Sequence, residues 1–145
     1  MSRRPVRDED GNRYVLLKRS AESSLVRDPR TGDSKHVPND ELELLSDESV
    51  LPTVLEAIPD DVVTVLTAVH DSRTLAVLLE LDADGPIAVR TLLSEYEFCE
   101  SDLHGLLAEL RAAGLLREQS VAGERGYETT ATASSALSKL TQCDG

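Results

Sequence analysis

The sequence predicts an α+β protein, in which a mainly helical domain is preceded by a small antiparallel β-meander. Leucines recur at helical spacing over residues 99–113, while short apolar runs separated by turn signals fill residues 1–38. Only 3% of the 145 residues are aromatic. The core must therefore consist mainly of Leu, Val and Ala, which favours packed helices over a large sheet sandwich.

The stretch 99–127 predicts a helix that leads into a hairpin. Glu100, Ser101 and Asp102 supply capping and negative charge at the start of this helix, and Gly114 ends it. The turn-forming segment 122–126 then separates two short strands. A helix followed by a hairpin is the pattern of a winged helix. The apolar stripe of the helix consists of Leu103, Leu106, Leu107, Leu110 and Ala113.

The run SDLHGLLAELRAAGLLRE, its hairpin and the following YETTATASSAL resemble the third helix, wing and next helix of winged helix-turn-helix transcription regulators of the MarR and ArsR kind. HDSRTLAVLLEL at 70–81 resembles their opening helix, and IAVRTLLSEYEF at 87–98 occupies the place of their second helix. Residues 87–89 are expected to pair with the wing. The resemblance covers residues 60–140 and implies a homodimeric regulator whose partner is double-stranded DNA.

Four segments are expected along the chain. They are the β-meander at 1–38, a helical connector at 39–59, the winged helix-turn-helix domain at 60–141 and a flexible tail at 142–145. A meander of about forty residues is too small to be secure alone, so it should pack on the helical part or on a second subunit. The expected dimer surface is either the meander or the helices of residues 40–69, rather than the short last helix, and the meander is also the candidate surface for a protein partner.

Two further helical pieces are predicted within the connector, the first capped by Asn39 or Asp40 and the second ended by Pro59. A helical pattern then runs over 60–81, either as one bent helix or as two with a cap at Asp71 or Ser72. Its apolar residues are expected to face the domain core. They are Val62, Val65, Leu66, Val69, Leu75, Leu78 and Leu79.

The exposed face of the third helix decides how it meets DNA. Its middle carries Ser101, Gly105, Ala108 and Ala112, whereas base readout normally uses Arg, Lys, Asn or Gln. Small residues allow close approach to a groove, but they equally suit packing on another helix. Arg125 is expected at the wing tip and Arg90 near phosphates, and a solvated surface role is the alternative for every candidate. The candidate DNA-binding residues are Arg90, Ser101, His104, Gly105, Arg111 and Arg125.

The formal net charge of −12 is unevenly distributed, with +2 over residues 1–40 and −14 over residues 41–145. Acidic side chains outnumber basic ones, and twelve of the fifteen basic residues are arginine, a composition that resembles proteins of extreme halophiles. Screening falls to about 3 Å at 1 M salt, so an acidic surface would then repel phosphate only at short range. The meander arginines either form a basic surface or balance neighbouring carboxylates across strands.

No catalytic, metal or cofactor site is predicted. His36, His70 and His104 lie in separate elements, and the acidic turn at 82–86 lacks the other ligands of a calcium loop. Cys99 and Cys143 are expected to be reduced thiols, with a redox or metal-sensor role for Cys99 as the alternative.

No apolar run approaches the roughly 18 residues of a membrane span, and the N-terminus lacks the apolar region of a secretory signal. A cytoplasmic protein without membrane contact is therefore expected. The alternative to a DNA-binding regulator is a non-catalytic winged-helix module that holds a protein partner.

Overall fold

The computed structural model describes residues 3–142, and it confirms the α+β class with an antiparallel meander at the N-terminus. The chain divides after Pro59 into two compact units, here called the N-terminal unit and the C-terminal unit. The last three residues of the predicted tail, Cys143 among them, lie outside the described residues.

The N-terminal unit is built on a five-stranded antiparallel sheet in the order β4-β3-β2-β1-β5. Val6, Tyr14 and Val26 form its buried cluster, with Leu16, Val37 and Leu42 packed against it. The strands are β1 (Arg4–Arg7), β2 (Arg13–Arg19), β3 (Ser23–Arg27), β4 (Ser34–Pro38) and β5 (Glu43–Leu44).

The segment predicted as a helical connector differs from expectation. It contains a 3-10 turn (Asn39–Glu41), strand β5 and helix α1 (Leu51–Leu55). Asn39 caps no helix, because its side chain accepts a hydrogen bond from Ser24 Oγ at 2.6 Å and donates one to the Ser20 carbonyl at 2.8 Å. These bonds hold the turn against β3 and lead the chain into β5, where Leu44 pairs with Val6 of β1.

Several meander arginines pair with carboxylates. Arg7 lies 2.6 Å from Glu43, Arg30 lies 3.0 Å from Asp28, and Arg13 pairs with Glu48. These contacts match the balancing role that the sequence left open, and they reduce the basic surface that the unit presents.

The C-terminal unit packs five helices around a three-stranded sheet in the order β6-β8-β7. Its buried core includes Leu78 and Leu81, Leu92, Leu103 and Leu137. The elements are α2 (Asp60–Ala68), α3 (Ser72–Asp84), β6 (Ile87–Ala88), α4 (Val89–Glu95), α5 (Glu100–Ala112), β7 (Leu116–Val121), β8 (Glu124–Thr129) and α6 (Ala131–Thr141).

Residues 60–81 form two helices rather than one bent helix. The Asp71 side chain caps α3 by accepting a hydrogen bond from the Thr74 amide at 2.8 Å. Leu66 and Leu79, which were expected in the core, are 53% and 37% exposed. Each follows a fully buried residue, Val65 or Leu78, by one 100° step of the helix, and the core accommodates only the first member of each pair.

The hairpin turn is shorter than the sequence indicates. Only Ala122 (φ 51°) and Gly123 (φ 81°) form it, as expected for a two-residue turn with both central residues left-handed. Gly126 instead lies within β8, opposite Ala88 of β6 and Gln119 of β7. The expected pairing of residues 87–89 with the wing is therefore present at Ile87 and Ala88, and Gly114 (φ 80°) follows the end of α5.

Candidate nucleic-acid interface

The surface that would meet DNA is centred on α5, whose orientation depends on the preceding turn. Cys99 caps the helix, rather than the predicted residues 100–102, since its Sγ accepts a hydrogen bond from the Asp102 amide at 3.5 Å. Glu97 adopts a left-handed φ of 56°, which is uncommon for a residue other than glycine.

Arg73 of α3 holds this turn in place. It donates a hydrogen bond to the Glu97 carbonyl at 3.2 Å, and its guanidinium lies 4.1 Å from the centre of the Phe98 ring. Sequence reasoning missed Arg73, because the contact spans 24 residues and depends on how α3 packs beside the turn.

Within the predicted stripe of α5, Leu103, Leu107 and Leu110 are at most 1% exposed, while Leu106 and Ala113 are partly buried against the core. The opposite face is open to solvent, and all six candidate DNA-binding residues are exposed. A Cβ atom added at Gly105 would meet nothing within 4 Å. The backbone of α5 is therefore accessible at its middle.

The six candidates do not form one patch. His104, Arg111 and Arg125 line a cleft of about 560 Å³ between α5 and the wing, together with Ala108, Ala112 and Tyr127. Ser101 and Gly105 lie in a separate depression, which also contains Arg73. Arg90 lines neither of them and pairs with Glu124 at 3.4 Å.

Arg125 is not at the tip of the wing. It is the second residue of β8 and lies opposite Ser120, because the turn consists of Ala122 and Gly123 alone. This register brings its guanidinium 2.7 Å from the Tyr127 hydroxyl and 2.8 Å from Glu118. The Tyr127 hydroxyl, and to a smaller extent Glu118, raise the pKa of Arg125. The side chain therefore remains cationic.

Carboxylates lie among the basic groups. Arg111 pairs with Glu118 at 3.1 Å, and His104 lies 3.7 Å from Glu100. Residues 60–145 carry six basic and fifteen acidic side chains, a formal charge of −9. The surface is thus electrostatically mixed, and its three candidate arginines, at positions 90, 111 and 125, all have an acidic neighbour.

A second feature of the C-terminal unit is an apolar groove between α2, α3 and α6. Its volume is about 470 Å³, and its lining includes the exposed side chains of Leu66 and Leu79. His70, Asp71 and Ser72 contribute polar atoms to its wall.

Within residues 3–142, no cluster of three or more His, Cys, Asp or Glu side chains is arranged to hold a metal ion. None of the helices in that range combines the length and apolar character needed to cross a membrane.

Helices α2 to α6 and the β6-β8-β7 sheet, in this order and pairing, define a winged helix-turn-helix protein. The chain belongs to the family described as Family of unknown function (DUF7346), whose model matches residues 3–141. No curated protein matches the sequence.

Two solved structures are similar to the chain. HlyU from Vibrio vulnificus CMCP6, described as a transcriptional regulator, is 23% identical with a TM-score of 0.50 over 67% of this chain and 94% of its own. HlyU from Vibrio cholerae N16961 is 28% identical with a TM-score of 0.48 over 58% of this chain and 94% of its own. The likeness to the Vibrio vulnificus protein supports the winged-helix fold.

Proposed function

We propose that the protein is a DNA-binding transcriptional regulator that inserts α5 into the major groove and lays the β7–β8 hairpin along the sugar-phosphate backbone. The observation that carries the proposal is the convergence of Arg111 of α5 and Arg125 of β8 on one cleft beside an exposed helix face. The open backbone at Gly105 supports close approach of the helix, and the two guanidiniums supply phosphate contacts. The description of the Vibrio vulnificus protein as a transcriptional regulator agrees with this role.

The test is selection of binding sites from pooled genomic DNA fragments by the purified full-length protein in molar potassium chloride. We expect the wild-type protein to enrich defined sites. The Arg111→Glu and Arg125→Glu variants should lose this enrichment while remaining folded by circular dichroism. If the folded wild-type protein enriches no site, the regulator proposal is wrong. If both variants bind DNA as the wild-type protein does, the cleft is not part of the DNA-binding surface.

We also infer a homodimer, formed through α1 of the N-terminal unit. Leu51, Val54 and Leu55 of α1, with Ile58 just beyond its end, follow helical spacing in the sequence and remain 70%, 38%, 48% and 36% exposed. Such a stripe is self-complementary about a two-fold axis, so two copies could cover it with the same surface from each subunit. A dimer would also carry two copies of α5, one for each half-site of a palindromic operator.

Sedimentation equilibrium tests the dimer. Leu51→Glu with Leu55→Glu should convert a dimer to a monomer, while Leu66→Glu with Leu79→Glu in the groove of the C-terminal unit serves as the matched control. If only the control variant loses the dimer, the interface lies at the groove. A monomeric wild-type protein would contradict the homodimer altogether.

The second candidate function is a non-catalytic interaction module, and the exposed apolar stripe of α1 is the observation that favours it. Under this alternative, a protein partner would bind to the stripe and α5 would not enter the DNA groove. Leu51→Glu with Leu55→Glu should then disrupt partner assembly. Site enrichment in the DNA selection would exclude the module as the main role.

A further inference from the structure

Glu118 of β7 lies where an anion would be expected to bind. One of its carboxylate oxygens, Oε1, is 3.1 Å from Arg111 Nη1 and 2.8 Å from Arg125 Nη2. The two guanidiniums come from different elements, α5 and β8, and meet at a single oxygen atom. Guanidiniums that converge in this way are well suited to phosphate as well as to carboxylate.

The ion-paired cluster is accessible from solvent. The side chains of Arg111, Arg125 and Glu118 are 54%, 58% and 42% exposed. The cleft beside them is walled by Ala108 and Ala112, which leave room for a bulky group, and by His104, which can donate a hydrogen bond. An incoming anion can therefore reach both arginines while β7 and β8 remain paired.

We propose that Glu118 is an internal substitute for a phosphate oxyanion and that it occupies the Arg111–Arg125 pair until phosphate displaces it. This inference rests on the proposed function where the phosphate belongs to DNA. Exchange of one anion for another leaves both guanidiniums with an anionic partner, while the displaced carboxylate turns to solvent. Glu118 thereby lowers the affinity for any phosphate backbone, so contacts made elsewhere on α5 decide whether DNA stays bound.

The first experiment compares Glu118→Gln with Glu128→Gln in the full-length protein. Glu128 pairs with Arg117 at 2.9 Å, and the alternation of strand residues places it on the opposite face of the same hairpin from Glu118. Both variants lose one negative charge from this hairpin. They differ in whether the arginine pair of the cleft is released.

Binding is measured by fluorescence anisotropy with a mixed-sequence DNA duplex over a range of potassium chloride concentrations. Glu118→Gln should bind about tenfold more tightly than Glu128→Gln, with a steeper salt dependence because two guanidiniums become available to phosphate. Adding Arg111→Gln to Glu118→Gln should remove most of this gain. Equal affinities for the two single variants, when both bind, would overturn the inference and leave DNA binding intact.

A second arm uses inorganic phosphate to distinguish a free phosphate from DNA. Melting temperatures are recorded as potassium phosphate replaces potassium chloride at constant ionic strength. A larger rise for Glu118→Gln than for Glu128→Gln supports a phosphate site, and if neither variant nor the wild-type protein binds the duplex, the proposed function fails while the site stands. No difference between the variants with either ligand would overturn the site.

Discussion

Gly105 leaves the exposed face of α5 open, but it lowers the stability of the helix. It lies in the interior of α5, where glycine is less favourable than alanine, and a Cβ there meets nothing within 4 Å. Gly105→Ala should therefore raise the free energy of unfolding by about 0.5–1 kcal/mol in urea denaturation. Ala108→Gly on the same exposed face is the control and should lower it by a similar amount. A destabilised Gly105→Ala protein would show that the helix needs glycine for a reason other than DNA contact.

Gly126 differs from Gly105, because the space around it leaves no room for a Cβ atom. A Cβ at this position would lie 2.7 Å from the Ile87 carbonyl oxygen and 2.8 Å from Val121 Cγ2. Gly126→Ala should therefore lower the free energy of unfolding by roughly 1–3 kcal/mol, as overpacking does elsewhere. Thermal denaturation measures the loss. A melting temperature equal to that of the wild-type protein would mean that β6 can move away from β8 at little cost.

The wing depends on a turn that its sequence fits imperfectly. Ala122 adopts a φ of 51°, which asparagine tolerates better than alanine, and Gly123 already fits the second position. Ala122→Asn should raise the free energy of unfolding by about 0.5 kcal/mol, and Ala122→Val should lower it. Differential scanning calorimetry of the two variants gives the comparison. Equal effects of Asn and Val would argue against a left-handed residue at this turn.

Helix α3 begins at a carboxylate whose charge is linked to stability. The hydrogen bond from the Thr74 amide lowers the pKa of Asp71. Because the folded pKa lies below the unfolded pKa of about 3.9, the stabilisation is present above that value and is lost as the pH falls through the folded pKa. Asp71→Asn retains a capping oxygen without the charge. The stability difference between wild type and variant should therefore be largest near pH 6 and should shrink towards pH 2 in urea unfolding, and a constant difference would contradict the link.

At the scale of the whole molecule, the net charge of −12 predicts that salt stabilises the fold. Repulsion among carboxylates weakens as the screening length falls from about 8 Å at 0.15 M to about 3 Å at 1 M. The melting temperature should rise as potassium chloride increases over this range. Potassium glutamate at matched concentration controls for an effect specific to chloride. A lower melting temperature in both salts would indicate that the ion pairs of the fold outweigh the overall repulsion.

The sequence by itself determined the elements whose causes are local. Apolar residues at helical spacing defined α5, and Gly114 set its end. These features depend on side-chain periodicity and on backbone preferences, which act over a few residues. The α+β class and the winged helix followed from them. That the six candidate residues contact DNA stays a prediction.

Only the tertiary structure decided the relations between residues distant in the chain. It paired Leu44 with Val6 to give the N-terminal sheet a fifth strand, placed Arg73 on the turn before α5, and set two arginines on the single carboxylate of Glu118. Each depends on the register of strands or the packing of helices, and a change of one residue in register would turn the side chains to the other face. Local propensity carries no information on such pairings, so the charge balance of the candidate site emerged from the packed fold.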